Sequence, residues 1–259
     1  MATPWWLDRP GLAGGIDKTG ERAAELLGLG FGSVEFGSVT VRPLAESNPG
    51  LGALLARLAT QRMDLLPGAV NRKKCLKTAI GIGLGLPPTL PPEQLADEWL
   101  AGLRLLAEAP PVADYLSLNL SAAANRRFVG VELRPSLLVA LAAVACFRAA
   151  QAPALRLQLA VKLPVDAAPR LWPALLAAGV GQLTVVLPED VRRFDSLARL
   201  RELAAETATE KGGPALVAVG GIVNALSRQQ VLAAGAQEIQ VHRLFTRAGA
   251  ATLGLLLAP

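Results

Sequence analysis

Histidine occurs once, at position 242, and cysteine twice, at 75 and 146 without Cys-x-x-Cys spacing, in a chain of 259 residues. One imidazole and two distant thiols suit neither a zinc site nor a disulfide framework, and reduced thiols are expected. Charge is scarce: Asp, Glu, Lys and Arg together make up 18%, which excludes the highly charged, weakly apolar composition of disordered chains. Long apolar runs are missing too. Stretches such as Leu137–Ala145 are interrupted by Pro, Arg or Gly well short of the ~18 residues that span a bilayer. No basic-then-apolar segment opens the sequence, so a soluble, cytoplasmic protein is expected. The net charge is +5, yet the basic residues are scattered apart from Arg72-Lys73-Lys74 and are not interleaved with aromatics. No continuous basic face is expected, and therefore no nucleic-acid partner.

What the chain does have is apolar mass, 52% hydrophobic residues, at a length close to the roughly 250 residues of one α/β barrel. Eight short apolar or β-rich runs recur: Leu12–Asp17, Ser33–Thr40, Thr78–Leu84, Tyr115–Ser121, Leu157–Pro164, Gln182–Pro188, Ala215–Ile222 and Glu238–Phe245. Helical spacing fills most gaps; Glu93–Ala109 aligns Leu95, Trp99, Leu103 and Leu106, and Asp166–Ala178, Asp195–Thr207 and Asn224–Ala234 carry similar stripes. Strand then helix, repeated eight times, predicts a single (β/α)8 barrel over residues 1–259, with strands apolar on both faces because both are buried. The long connection Asn48–Lys77 follows a strand, where such barrels build their sites. Trp5 and Trp6 precede the first strand and are expected to cap the barrel bottom or meet a partner.

The opening run Gly11-Leu12-Ala13-Gly14-Gly15-Ile16-Asp17-Lys18-Thr19-Gly20-Glu21, then Gly30 to Thr40 and Arg42-Pro43, closely resembles the first two strand–helix units of class 2 dihydroorotate dehydrogenases. Further matches follow in order. Gln61-Arg62-Met63 is similar to the family's Asn-Arg-Met, Ser117-Leu118-Asn119-Leu120-Ser121 to its fourth strand, Ala160 to Pro164 to its lysine-bearing fifth, and Val219-Gly220-Gly221-Ile222 to its seventh-strand phosphate turn. The resemblance implies an FMN-holding barrel whose cofactor meets Gly14, Gly15, Lys18, Ser38, Asn119, Lys162, Gly220 and Gly221, with His242 and Arg243 near the phosphate. Chemically, a glycine pair leaves room for a flat ring, a lysine stabilises charge on a reduced flavin, and amides ahead of a helix suit a phosphate.

The departures are as telling. Where the family continues Ser-Ser-Pro-Asn, supplying its base and a ring-gripping amide, this chain reads Ser121-Ala122-Ala123-Ala124-Asn125. The family's Asn-Thr-Thr after strand six is Val186-Leu187-Pro188, and its strand-three Asn is Gly81. Ala122 accepts no proton, leaving Ser121 as the remaining catalytic candidate. A site that reads a polar ring through hydrogen bonds discriminates by ~10⁴ or more, so losing several should abolish dihydroorotate turnover. Two functions are expected in consequence: an FMN-dependent oxidoreductase acting on another small molecule, or a non-catalytic scaffold whose partner is a protein. Each site residue also has a plainer role: Gly14-Gly15 as a tight turn, Asp17 as a helix cap beside an exposed Lys18, Lys162 paired with a carboxylate such as Glu35, His242 as a satisfied polar residue, and Arg243 as a guanidinium filling the phosphate site itself.

Overall fold

The computed structural model describes residues 4–64, 77–151, 157–188, 194–209 and 213–258. Eight parallel strands close into a barrel in sequence order: β1 (Gly11–Leu12), β2 (Ser33–Val39), β3 (Ala79–Leu84), β4 (Tyr115–Asn119), β5 (Gln158–Pro164), β6 (Gln182–Val186), β7 (Ala215–Val219) and β8 (Glu238–Val241). Each lies within, or one residue of, a run picked out by composition. All but β3 and β5 stop earlier than those runs, because residues such as Ile16, Ser121 and Leu187 already belong to the connections of the barrel mouth.

The helices are α1 (Ala23–Leu27), α2 (Leu51–Asp64), α3 (Leu95–Glu108), α4 (Arg134–Ala150), α5 (Ala168–Ala177), α6 (Phe194–Thr209), α7 (Ala225–Ala233), α8 (Arg243–Ala248) and α9 (Thr252–Leu257). The stripe Leu95, Trp99, Leu103, Leu106 on α3 is buried against the barrel, as its spacing requires. Among the described residues, no helix is long and apolar enough to cross a membrane. The basic triplet 72–74, Cys75, most of the connection after α2 and residues 189–193 lie outside the described residues, as do the side chains of Arg62 and Met63.

Between strands and helices runs one continuous aliphatic core. Inside the barrel the chemistry differs. Bulky branched side chains usually fill such interiors, whereas here Ser33, Glu35, Tyr115, Ser117, Lys162, Gln182, Thr184 and Gln240 are buried. Trp6 enters from below and stacks on Tyr115, with ring centroids 5.3 Å apart. Its indole N–H donates to Gln182 Oε1 at 3.0 Å, and Gln182 Nε2 donates to Thr184 Oγ1 at 3.1 Å. Gln240 Nε2 donates to the Tyr115 hydroxyl at 3.1 Å. Burial, reinforced by the charge of Glu35, raises the Tyr115 pKa well above 10.0, so the phenol stays neutral.

Tyr115 also explains Gly81, its register partner on β3. A Cβ at Gly81 would fall inside the tyrosine ring. Glycine is therefore required by packing, and no amide side chain could stand there beside this tyrosine. Gly81→Ala is expected to lower stability by about 1–3 kcal/mol through overpacking; an unshifted urea midpoint would show that the ring has room to yield.

Candidate functional site: a basic cleft at the barrel mouth

At the C-terminal ends of the strands opens a cleft of about 450 Å³. Its floor carries Lys162, Gln240 and His242; one wall is apolar, from Val186, Leu187 and Pro188; another is the turn Val219 to Val223. Ala13 and Gly14, Ser121 and Arg126, and Arg243 and Arg247 complete the rim. No Asp or Glu lines it among the described residues.

The expected cofactor residues divide into two groups. Gly14, Lys162, Gly220, Gly221, His242 and Arg243 line the cleft, together with Ser121, whereas Gly15, Lys18, Ser38 and Asn119 do not. Lys18 stands beside a loop organised by Asp17. That buried carboxylate accepts from the backbone N–H of Thr19 at 2.9 Å, Gly20 at 2.7 Å and Arg22 at 2.9 Å, the plainer, capping role. Asn119 Nδ2 donates to Ser38 Oγ at 2.6 Å, while Asn119 Oδ1 accepts from the Ser121 N–H at 2.9 Å and hydroxyl at 2.7 Å.

The glycines do not lie bare. A Cβ on Gly14 would stand 2.7 Å from Glu35 Oε1, and one on Gly15 would stand 2.8 Å from His242 Nε2. The room left by the absent side chains is thus used by the protein's own carboxylate and imidazole. Gly220 has φ 102° and Gly221 φ 67°, a backbone that favours glycine. The turn leads into α7 through Asn224, whose side chain accepts from Ser227 N–H at 2.9 Å while Asn224 N–H donates to Ser227 Oγ at 3.0 Å.

Lys162 Nζ stands 3.6 Å from Glu35 Oε1, with both side chains almost wholly buried, and neither Glu35 oxygen has a hydrogen bond among the described residues. His242 lies close enough to feel both Lys162 and Arg243. Its imidazole is held below the ordinary 6.5, first by burial and next by the charge of Lys162, with Arg243 adding and a hydrogen bond to the Gly15 backbone opposing. The ring is therefore neutral at pH 7. Arg126, Arg247 and Gln240 were not anticipated from sequence. A signal existed for Arg247, one helical turn beyond Arg243, but none for Arg126, which is one of two adjacent arginines in a loop.

No family model matches the chain. Over 280 aligned positions it is 30% identical to dihydroorotate dehydrogenase (quinone) of Bordetella avium, covering 94% of this chain and 79% of that one. The chain belongs to the dihydroorotate dehydrogenase family. The Thermus thermophilus enzyme of the same name is 29% identical over 269 positions, covering 92% and 75%. The Stenotrophomonas maltophilia enzyme reaches 36%, over 120 positions that make up 43% of this chain and only 33% of that relative. In structure, the dihydroorotate dehydrogenase of Eimeria tenella solved with ferulenol superimposes with a TM-score of 0.71 at 19% identity, covering 96% of this chain and 79% of that one. That likeness supports the fold.

Two outcomes test the site as a dihydroorotate dehydrogenase-like mouth. Lys162→Met leaves Glu35 buried and unpaired, so it should cost about 3–5 kcal/mol of stability, most of it recovered in Lys162→Met/Glu35→Gln; a neutral single mutant would mean that Glu35 is not charged. For His242, a depressed folded pKa means that the unfolded chain binds the proton first. Its contribution is complete above the unfolded value of 6.5 and is lost as pH falls through 6.5 toward the folded pKa. The chain's only imidazole should titrate below 6.5 by proton NMR, and a midpoint at or above it would contradict the burial.

Proposed function

We propose that this barrel binds FMN at the mouth and acts as an oxidoreductase on a small molecule other than dihydroorotate. The observation that carries it is the cleft's charge pattern: an ammonium at the floor, two guanidiniums beside the Gly220-Gly221 turn, and no carboxylate among the described lining residues. The residues present fit such a group. Lys162 would meet the pyrimidine edge of the ring, and the Gly221 and Ile222 amides with Arg243 would hold the phosphate. Bound FMN supplies a two-electron acceptor. The buried Glu35 carboxylate holds the Lys162 side chain in place from 3.6 Å, and the apolar wall of Val186 and Leu187 excludes water from that side.

The absence of dihydroorotate turnover follows from the proton. Ala122 is exposed and apolar. Ser121 reaches the cleft, but its hydroxyl donates to an amide oxygen, Asn119 Oδ1, which cannot take the proton away. Val186 and Gly81 offer no ring-gripping amide.

A second reading, a scaffold without catalysis, is favoured by the same self-satisfied contacts: Lys162 on Glu35, Asn119 on Ser38, and His242 over Gly15. The two separate on titration of FMN into purified protein. The oxidoreductase reading expects a bound flavin band near ~450 nm and weaker binding in the stable Lys162→Met/Glu35→Gln double mutant. A protein that takes up no FMN at tens of micromolar would leave the scaffold. Neither reading expects oxidation of dihydroorotate with a quinone or fumarate, and measurable turnover would overturn both.

A further inference from the structure

Resting on the flavin reading of the mouth, we infer that Arg126 anchors the anionic group of the substrate, an organic acid whose body is apolar. The closed order of strands puts β4 four strands from β8, on the opposite side of the barrel. The cations at the rim are divided in the same way: Arg243 and Arg247 follow β8, and Arg126 follows β4. A phosphate held beside α8 therefore leaves the β4 side of the cleft with a positive charge that nothing on the flavin would answer.

The loop from Asn119 to Arg126 is built to present that guanidinium. Asn125 Nδ2 donates to Asn119 O at 2.7 Å, the Arg126 N–H donates to Ala122 O at 2.9 Å, and Arg126 Nη2 donates to Ser121 O at 3.3 Å. The other guanidinium nitrogens remain available for a bidentate contact. The neighbouring Arg127 is committed elsewhere, donating to Leu90 O and lying over the Phe128 ring. Between Ser121 and Arg126 the loop carries three alanines in succession and no charged side chain, and the cleft is lined as well by Val186, Leu187 and Pro188. Recognition on this side therefore rests on one charge, the Ser121 hydroxyl and apolar contact. A polar ring needing amide partners would find none among these residues, and an anion would gain a charge-assisted contact with the exposed Arg126 guanidinium that an uncharged ligand could not.

The test uses benzoate and hexanoate, with benzamide and hexanamide as uncharged controls, titrated by calorimetry into the full chain with and without FMN. Flavin absorbance is followed in parallel, because an acid seated beside the ring perturbs it. Both acids are expected to bind and neither amide. Arg126→Gln should weaken the acids by about tenfold or more, the worth of a charge-assisted hydrogen bond. Arg126→Lys should fall between, keeping the charge without the fork. FMN affinity and the thermal midpoint should not move in either variant. Failure of the wild type to bind either acid, equal binding by Arg126→Gln, or equal binding of the amides would each overturn the assignment. Should FMN fail to bind while acid binding still depends on Arg126, the flavin reading falls and the anion subsite stands.

Discussion

The mouth of this barrel is organised around one buried ion pair. Lys162 on β5 and Glu35 on β2 approach to 3.6 Å with almost no exposure of either side chain. Such a pair contributes little net stability, since desolvation offsets most of the attraction, but each partner makes the other indispensable. Its reach is wide: Gly14 and Gly83 both give way to the Glu35 carboxylate, at 2.7 and 3.2 Å from where their Cβ atoms would stand. The same lysine adds to the burial that depresses His242. Two backbone positions and one imidazole thus answer to a single ion pair.

Below it, the interior is wetter in character than most barrels of this kind. Tyr115 takes the place that an aliphatic layer would occupy, with Trp6 stacked beneath and Gln240 hydrogen-bonded to its hydroxyl. This packing connects the bottom of the barrel with the mouth above. Gly81, where the resemblance implies an Asn, is the residue type that fits beside the tyrosine ring. An amide side chain placed at Gly81 alone would clash with Tyr115.

Much of the architecture could be read from spacing. Apolar runs of strand length alternating with helical stripes imply buried parallel strands under a ring of helices, since both patterns follow from which faces must leave water. The resemblance of the first forty residues to the dihydroorotate dehydrogenases carried through to kinship with the Bordetella avium protein over 94% of this chain. Strand ends were less legible, because hydrophobicity continues past the last ladder bond wherever a connection dips back into the mouth, as at Leu187 and Ile222, both buried.

The sequence by itself determined the barrel and the family, because both follow from residue type and order along the chain. It also named Glu35 as a possible partner for Lys162. Only the tertiary structure decided who meets whom at the mouth: that Gly14 and Gly15 face Glu35 and His242, that Ser38 and Asn119 bond to one another, that Lys18 stands outside the cleft, and that Arg126 lines it. The reason is geometric. Closing eight strands brings together groups more than a hundred residues apart, and local pattern carries no information about which of two neighbouring arginines will line the cleft.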